Sequence, residues 1–165
     1  MPPEWVERQL RRRGIRDERV LDAMARVPRE AFVPSEARSE AYADAALALS
    51  HGQTISQPFI VALICQALEL QGEERVLDVG TGSGYQAAVL AELAGEVVSV
   101  ERIPELAEQA RRNLAAAGYD VDVRVGDGAD GVPERAPFDG IAVAAAASEL
   151  PHALYDQLVI GGRLV

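Results

Sequence analysis

The sequence has no lysine: all sixteen of its Lys+Arg positions are arginine. Without a lysine amine there is no Schiff-base chemistry, no pyridoxal attachment and no phosphate-loop lysine, so a glycine turn in this chain cannot work as a nucleoside-triphosphate loop. Cys65 is the single cysteine, which excludes an internal disulfide and a cysteine metal cluster, and its apolar surroundings mark it as a packing residue rather than a nucleophile. Only two histidines are present, His51 and His152, and neither falls in a Ser/His/Asp or metal-binding pattern, so no metal is expected. No apolar run approaches the roughly 20 residues that span a bilayer, and the N-terminus carries no apolar signal core. A cytoplasmic protein without membrane contact is expected. Positive charge is also scarce: a formal net charge of -10 argues against nucleic-acid binding. The one basic cluster, Arg11 to Arg13, is followed by Gly14 and reads as a solvated helix face with a glycine stop.

What is there is an ordinary globular composition, 48% apolar and 25% charged, over 165 residues, a length suited to one domain spanning residues 1–165. Residues 1–58 form a helical N-terminal region ending in a loop, and residues 59–165 alternate strand and helix, with the join near Ala48 to Pro58. Asp17 can cap a helix whose apolar residues Val20, Leu21, Met24 and Val27 share one face, and Pro28 ends it. Strands are expected at Arg75 to Val79, Glu96 to Val100, Asp120 to Val125, Gly140 to Ala145 and Gly162 to Val165. A helix over Pro104 to Ala117 has proline at its start and Gly118 just past its end. Strands separated by helices make an α/β fold, a Rossmann-like doubly wound parallel sheet covered on both faces, with the helical segment in front of it.

In such a sheet, ligands bind beyond the carboxyl ends of the strands. There the apolar strand Val76-Leu77-Asp78-Val79 runs into Gly80-Thr81-Gly82-Ser83-Gly84-Tyr85. A dinucleotide turn reads Gly-x-Gly-x-x-Gly, whereas here Tyr85 stands at the last glycine position, which weakens a hydride-transfer reading. About 20 residues on, Glu101 closes the second strand, where a carboxylate can accept from both ribose hydroxyls. Asp127, between Gly126 and Gly128 after the third strand, can accept from an exocyclic amino group or cap its own turn. A ligand carrying adenosine but no pyrophosphate fits this set, and S-adenosylmethionine is such a ligand.

The string Gly52-Gln53-Thr54-Ile55-Ser56-Gln57-Pro58, followed by Val76 to Gln86, resembles the protein-L-isoaspartate O-methyltransferase family. The likeness extends through Val27-Pro28-Arg29-Glu30-Ala31-Phe32-Val33-Pro34, Ala41-Tyr42-Ala43-Asp44, Ser99-Val100-Glu101-Arg102, Gly126-Asp127-Gly128 and Ala136-Pro137-Phe138-Asp139, and so over essentially the whole chain. The Gln53 to Pro58 string discriminates, because many methyltransferases share the glycine turn. The resemblance implies methyl transfer from S-adenosylmethionine to the free carboxylate of isoaspartyl residues in damaged proteins or peptides, by a monomer. It implies Ser56 as the active-site residue and Gln53, Thr54 and Ile55 as a flap over cofactor and substrate. It further implies Gly80, Gly82 and Ser83 on the methionine part, Glu101 on the ribose, and Asp127 with Gly128 on the adenine. A carboxylate is ionised at neutral pH and needs no base to act as nucleophile, which agrees with the absence of an obvious one.

Other readings stay open at this point. Ser56 precedes Pro58 and an apolar run through Ile60, Ile64 and Leu68, so capping that helix would by itself account for a serine. His51 either lines the substrate entrance or is a plain loop residue. Ala144 stands where the family usually has threonine, and Ser50 where glycine is common. The last residues, Gly161 to Val165, fall in the expected fifth strand, whereas the family pattern continues into an antiparallel strand pair, expected here to be absent. The alternatives are a relative that binds S-adenosylmethionine with little turnover, a peptide aspartate methyltransferase of a biosynthetic pathway, and an NAD-linked oxidoreductase.

Overall fold

Strand residues that alternate across two apolar layers build the centre of the molecule. A computed structural model describes residues 3–145 and 151–165. In the N-terminal region, α1 (Glu4–Gln9) and α2 (Glu18–Arg26) are followed by short 3-10 turns. The Asp17 carboxylate accepts from the Arg19 and Val20 amides, and α2 buries Val20, Leu21 and Met24, as its spacing predicts. Arg11 to Arg13 form a single 3-10 turn closed by Gly14. Their guanidiniums pair with Glu7, Glu18 and Asp44.

Two elements too short for any periodicity signal follow, β1 (Leu47–Ala48) and β2 (Thr54–Ile55), paired antiparallel. They hold the 47–55 segment as a closed loop whose tip includes His51 at φ 58°. Helix α3 (Pro58–Leu68) begins at its proline, with Gln57 as the flanking residue and no side-chain cap. Ser56 therefore lies outside the helix and does not cap it. The buried stripe of α3 is Val61, Ala62, Cys65 and Leu68, while Ile60 is exposed.

The sheet is formed by β3 (Arg75–Val79), β4 (Glu96–Glu101), β5 (Asp122–Val125), β6 (Phe138–Val143) and β7 (Leu158–Leu164), with α4 (Tyr85–Ala91), α5 (Pro104–Ala117) and α6 (His152–Asp156) between them. Its order is β5-β4-β3-β6-β7, parallel throughout. Successive strands leave β3 in opposite directions, so the switch point lies at its C-terminal end, where Gly80 stands. Val76, Val97, Val123 and Ala142 pack with the N-terminal helices on one face. Leu77, Val79, Val98, Val100 and Ile141 pack with Val132, Phe138 and Leu154 on the other. Burial on both faces is the doubly wound arrangement that the continuous Val-rich runs predict. The fifth strand starts at Leu158, earlier than expected. Within it Gly161 takes φ 85°, and the pairing with β6 shifts register between Phe138 and Gly140. Among the described residues no helix is long and apolar enough to cross a membrane.

Candidate functional site

The turn after β3 is held from beneath by the neighbouring strand. The amides of Gly80 and Thr81 both donate to the Val100 carbonyl, at 2.9 and 3.3 Å. Gly80 has φ 95°, and a Cβ there would lie 3.3 Å from that of Ala145. Gly84, at φ 91°, meets Leu114 of α5, 3.1 Å from where a Cβ would sit. Both glycines answer to backbone conformation and close packing together.

Below the turn lies a buried polar cluster that spacing did not reveal. Asp78 is fully buried on β3. It accepts from Gln86 Nε2 at 2.8 Å and from Ser99 Oγ at 2.7 Å, and Ser99 Oγ lies 2.6 Å from Thr81 Oγ1. Because the Ser99 proton points at the carboxylate, Thr81 donates to Ser99, and the chain of bonds fixes the turn to β3 and β4. Burial pushes the Asp78 carboxyl up to about 6 from a usual 3.8, against the pull of the Ser99 and Gln86 bonds and with a smaller push from Glu101. A carboxyl with a raised folded pKa favours folding while protonated and loses that contribution as pH rises through its folded value. Asp78→Asn does not titrate, so its stability relative to the parent is expected to improve by about 2–3 kcal/mol between pH 3.5 and pH 7. Urea unfolding of both proteins at the two pH values measures this, and a difference independent of pH would contradict it.

At the ends of the next strands, Glu101 is 7% exposed. Its Oε2 accepts from the Gly82 amide at 2.9 Å and its Oε1 from the Ile103 amide at 3.1 Å. Each carboxylate oxygen retains acceptor capacity for one more donor, as two adjacent hydroxyls would require. The Gly126 amide donates to the Glu101 carbonyl. Asp127 is exposed and caps its own turn by accepting from the Ala129 amide at 2.9 Å. A Cβ on Gly128 would come within 2.5 Å of Val79, so only glycine lets this turn lie against the end of β3.

The loop at 53–56 crosses over the same edge. Thr54 and Gln53 are exposed, Ile55 is buried and Ser56 half-buried. A cavity of about 40 Å³ is lined by Thr54, Ile55 and Ser56 on one side and Gly80, Gly82, Ser83 and Gln86 on the other. Gln86 Oε1 is buried there without a partner among the described residues. A larger open cleft of about 850 Å³ adjoins it, walled by residues 31–38 of the N-terminal segment, by Leu47 to Ser50, and by Leu106, Gln109 and Asn113 of α5, and it shares Gly82 and Ser83. Thr54, Ile55, Ser56, Gly80, Gly82 and Ser83 are thus brought around one space. Glu101 joins them through Gly82. Gln53 lies at the loop's outer side, and Asp127 and Gly128 sit further along the sheet edge, outside both cavities. His51 is exposed and bonded to Ser50 Oγ. Besides the Asp78 cluster, spacing also missed Arg29, whose guanidinium is buried against this loop.

A parallel sheet with this order, a glycine turn at its switch point and an acidic residue closing the adjacent strand defines the Rossmann-like class of nucleoside-binding methyltransferase folds. The family model described as Protein-L-isoaspartate(D-aspartate) O-methyltransferase (PCMT) matches residues 4–165, and the chain belongs to that family. It is 63% identical over 161 residues to Protein-L-isoaspartate O-methyltransferase 2 of Marinobacter nauticus, spanning 97% of this chain and 74% of that protein. A solved protein-L-isoaspartate O-methyltransferase superposes with TM-score 0.87 at 36% identity, over 96% of this chain and 53% of its own. A Plasmodium falciparum structure described as this type of methyltransferase, in complex with S-adenosyl-L-homocysteine, superposes with TM-score 0.78 at 29% identity, over 97% of this chain and 80% of its own.

Proposed function

We propose that this chain transfers a methyl group from S-adenosylmethionine to the free carboxylate of isoaspartyl residues in proteins or peptides. The observation that supports it most is the single space lined by both the Thr54 to Ser56 loop and the glycine turn. S-adenosylmethionine, when bound, supplies an electrophilic methyl on its sulfonium. The residues suit it: a buried carboxylate with spare acceptor capacity, glycine backbone free of side chains, and no demand for a pyrophosphate grip. Gly80, Gly82 and Ser83 hold the methionine part, Glu101 the ribose, Asp127 and Gly128 the adenine, and Gln53, Thr54 and Ile55 cover them.

Ser56 orients the attacking carboxylate, which is ionised at neutral pH and requires no base. The nearby titratable groups serve the fold instead. Cys65 is buried and its thiol is pushed far above the usual range by burial, and both Asp78 oxygens already accept hydrogen bonds. Rate enhancement then rests on holding the reacting atoms about 3 to 3.5 Å apart and excluding water, with no proton transfer. The protein acts as a cytoplasmic monomer on isoaspartyl proteins. Methanol release from an isoaspartyl peptide tests the reading: release above a peptide-free control is expected. Cofactor binding by calorimetry without any release would favour the binder alternative.

A further inference from the structure

Arg29 is 0% exposed, yet no carboxylate pairs with it among the described residues. Its Nε donates to the Ala41 carbonyl at 2.7 Å and its Nη2 to the Ser56 carbonyl at 2.9 Å, while its Cζ lies 4.6 Å from the centre of the Tyr85 ring. Nη1 is buried without a partner among the described residues. Taking a guanidinium out of water without a counter-ion is unfavourable, and two neutral carbonyls and an aromatic face offset it only in part. The fold gains a three-point tie from this arrangement. Ala41 precedes the loop, Ser56 ends it, and Tyr85 opens α4 directly after the glycine turn.

We propose that Arg29 is a positioning residue for the substrate side of the site: its buried fork locks the Ser56 backbone to the helix that follows the glycine turn and thereby sets where the Ser56 hydroxyl points. The proposal rests on the methyl-transfer reading for what that hydroxyl meets. A planar fork with fixed donor directions can hold two carbonyls and lie on a ring at once, which a lysine ammonium on a flexible stem cannot. Arg29→Lys keeps the charge and removes that geometry.

The test is a double-mutant cycle on isoaspartyl-peptide methylation with Arg29→Lys, Ser56→Ala and both, run beside hydrogen exchange of the backbone amides. Arg29→Lys is expected to lower kcat/KM about tenfold in the parent and less than twofold in the Ser56→Ala background, with the dissociation constant for S-adenosylhomocysteine changed less than twofold. Amides of residues 54–56 are expected to exchange faster while those of β3 and β4 are unchanged. Equal losses in both backgrounds, unchanged loop exchange, or a matching loss of protection in β3 and β4 would overturn the positioning role. A parent without turnover would instead overturn the methyl-transfer reading, and loop exchange alone would then decide the role of Arg29.

Discussion

Replacing Glu101 with alanine is expected to raise the dissociation constant for S-adenosylhomocysteine or S-adenosylmethionine about tenfold or more. Each hydrogen bond to a charged acceptor contributes roughly 1.5–3 kcal/mol, and 1.4 kcal/mol is a factor of ten, so the loss of one bond already suffices. The structure adds a second reason. The same carboxylate holds the Gly82 amide at 2.9 Å, so its removal also unpins the glycine turn. Calorimetry on the folded variant measures the effect, and binding equal to the parent's would remove Glu101 from the ribose side.

Ser56→Ala is expected to lower kcat/KM for an isoaspartyl peptide by about tenfold to a hundredfold, the scale of losing one orienting hydrogen bond and the alignment it maintains. Cofactor affinity should stay within about twofold of the parent. Thermal stability should also be preserved, because α3 has no side-chain cap and Arg29 binds the Ser56 carbonyl, which alanine retains. Had the hydroxyl capped the helix, its loss would cost about 1 kcal/mol. Kinetics and thermal unfolding on one preparation therefore separate the two roles. A variant as active as the parent would strip Ser56 of its part in the site.

Those two residues also illustrate what could be read from the chain. Although its ribose contact remains a proposal, the place of Glu101 at the end of β4 was legible, because it closes an apolar strand at a fixed interval after a glycine turn. The same holds for Arg75–Val79 and for Pro104–Ala117, whose proline and glycine mark both ends of the helix. The role proposed for Ser56 came only from resemblance, and its chemistry left the capping alternative open until Gln57 proved to be the flanking residue. The Asp78, Ser99, Thr81 and Gln86 cluster had no signal, since it joins residues from two strands, a turn and a helix that only tertiary packing brings together. Arg29 was visible as a letter in a motif but not as a buried cation, because burial of a charged side chain contradicts every local expectation. The early start of β7 was hidden because Gly161 and Gly162 are poor strand formers, and Gly161 takes a positive φ where the pairing with β6 shifts register.

The most direct measurement presents an isoaspartyl peptide and its aspartyl twin together to this chain with S-adenosylmethionine, and follows methylation of each by mass. Methylation of the isoaspartyl peptide with the aspartyl peptide untouched is the expected result. Methylation of the aspartyl peptide instead, or of neither, would contradict a glycine turn and a Ser56 loop joined for transfer to the isoaspartyl carboxylate.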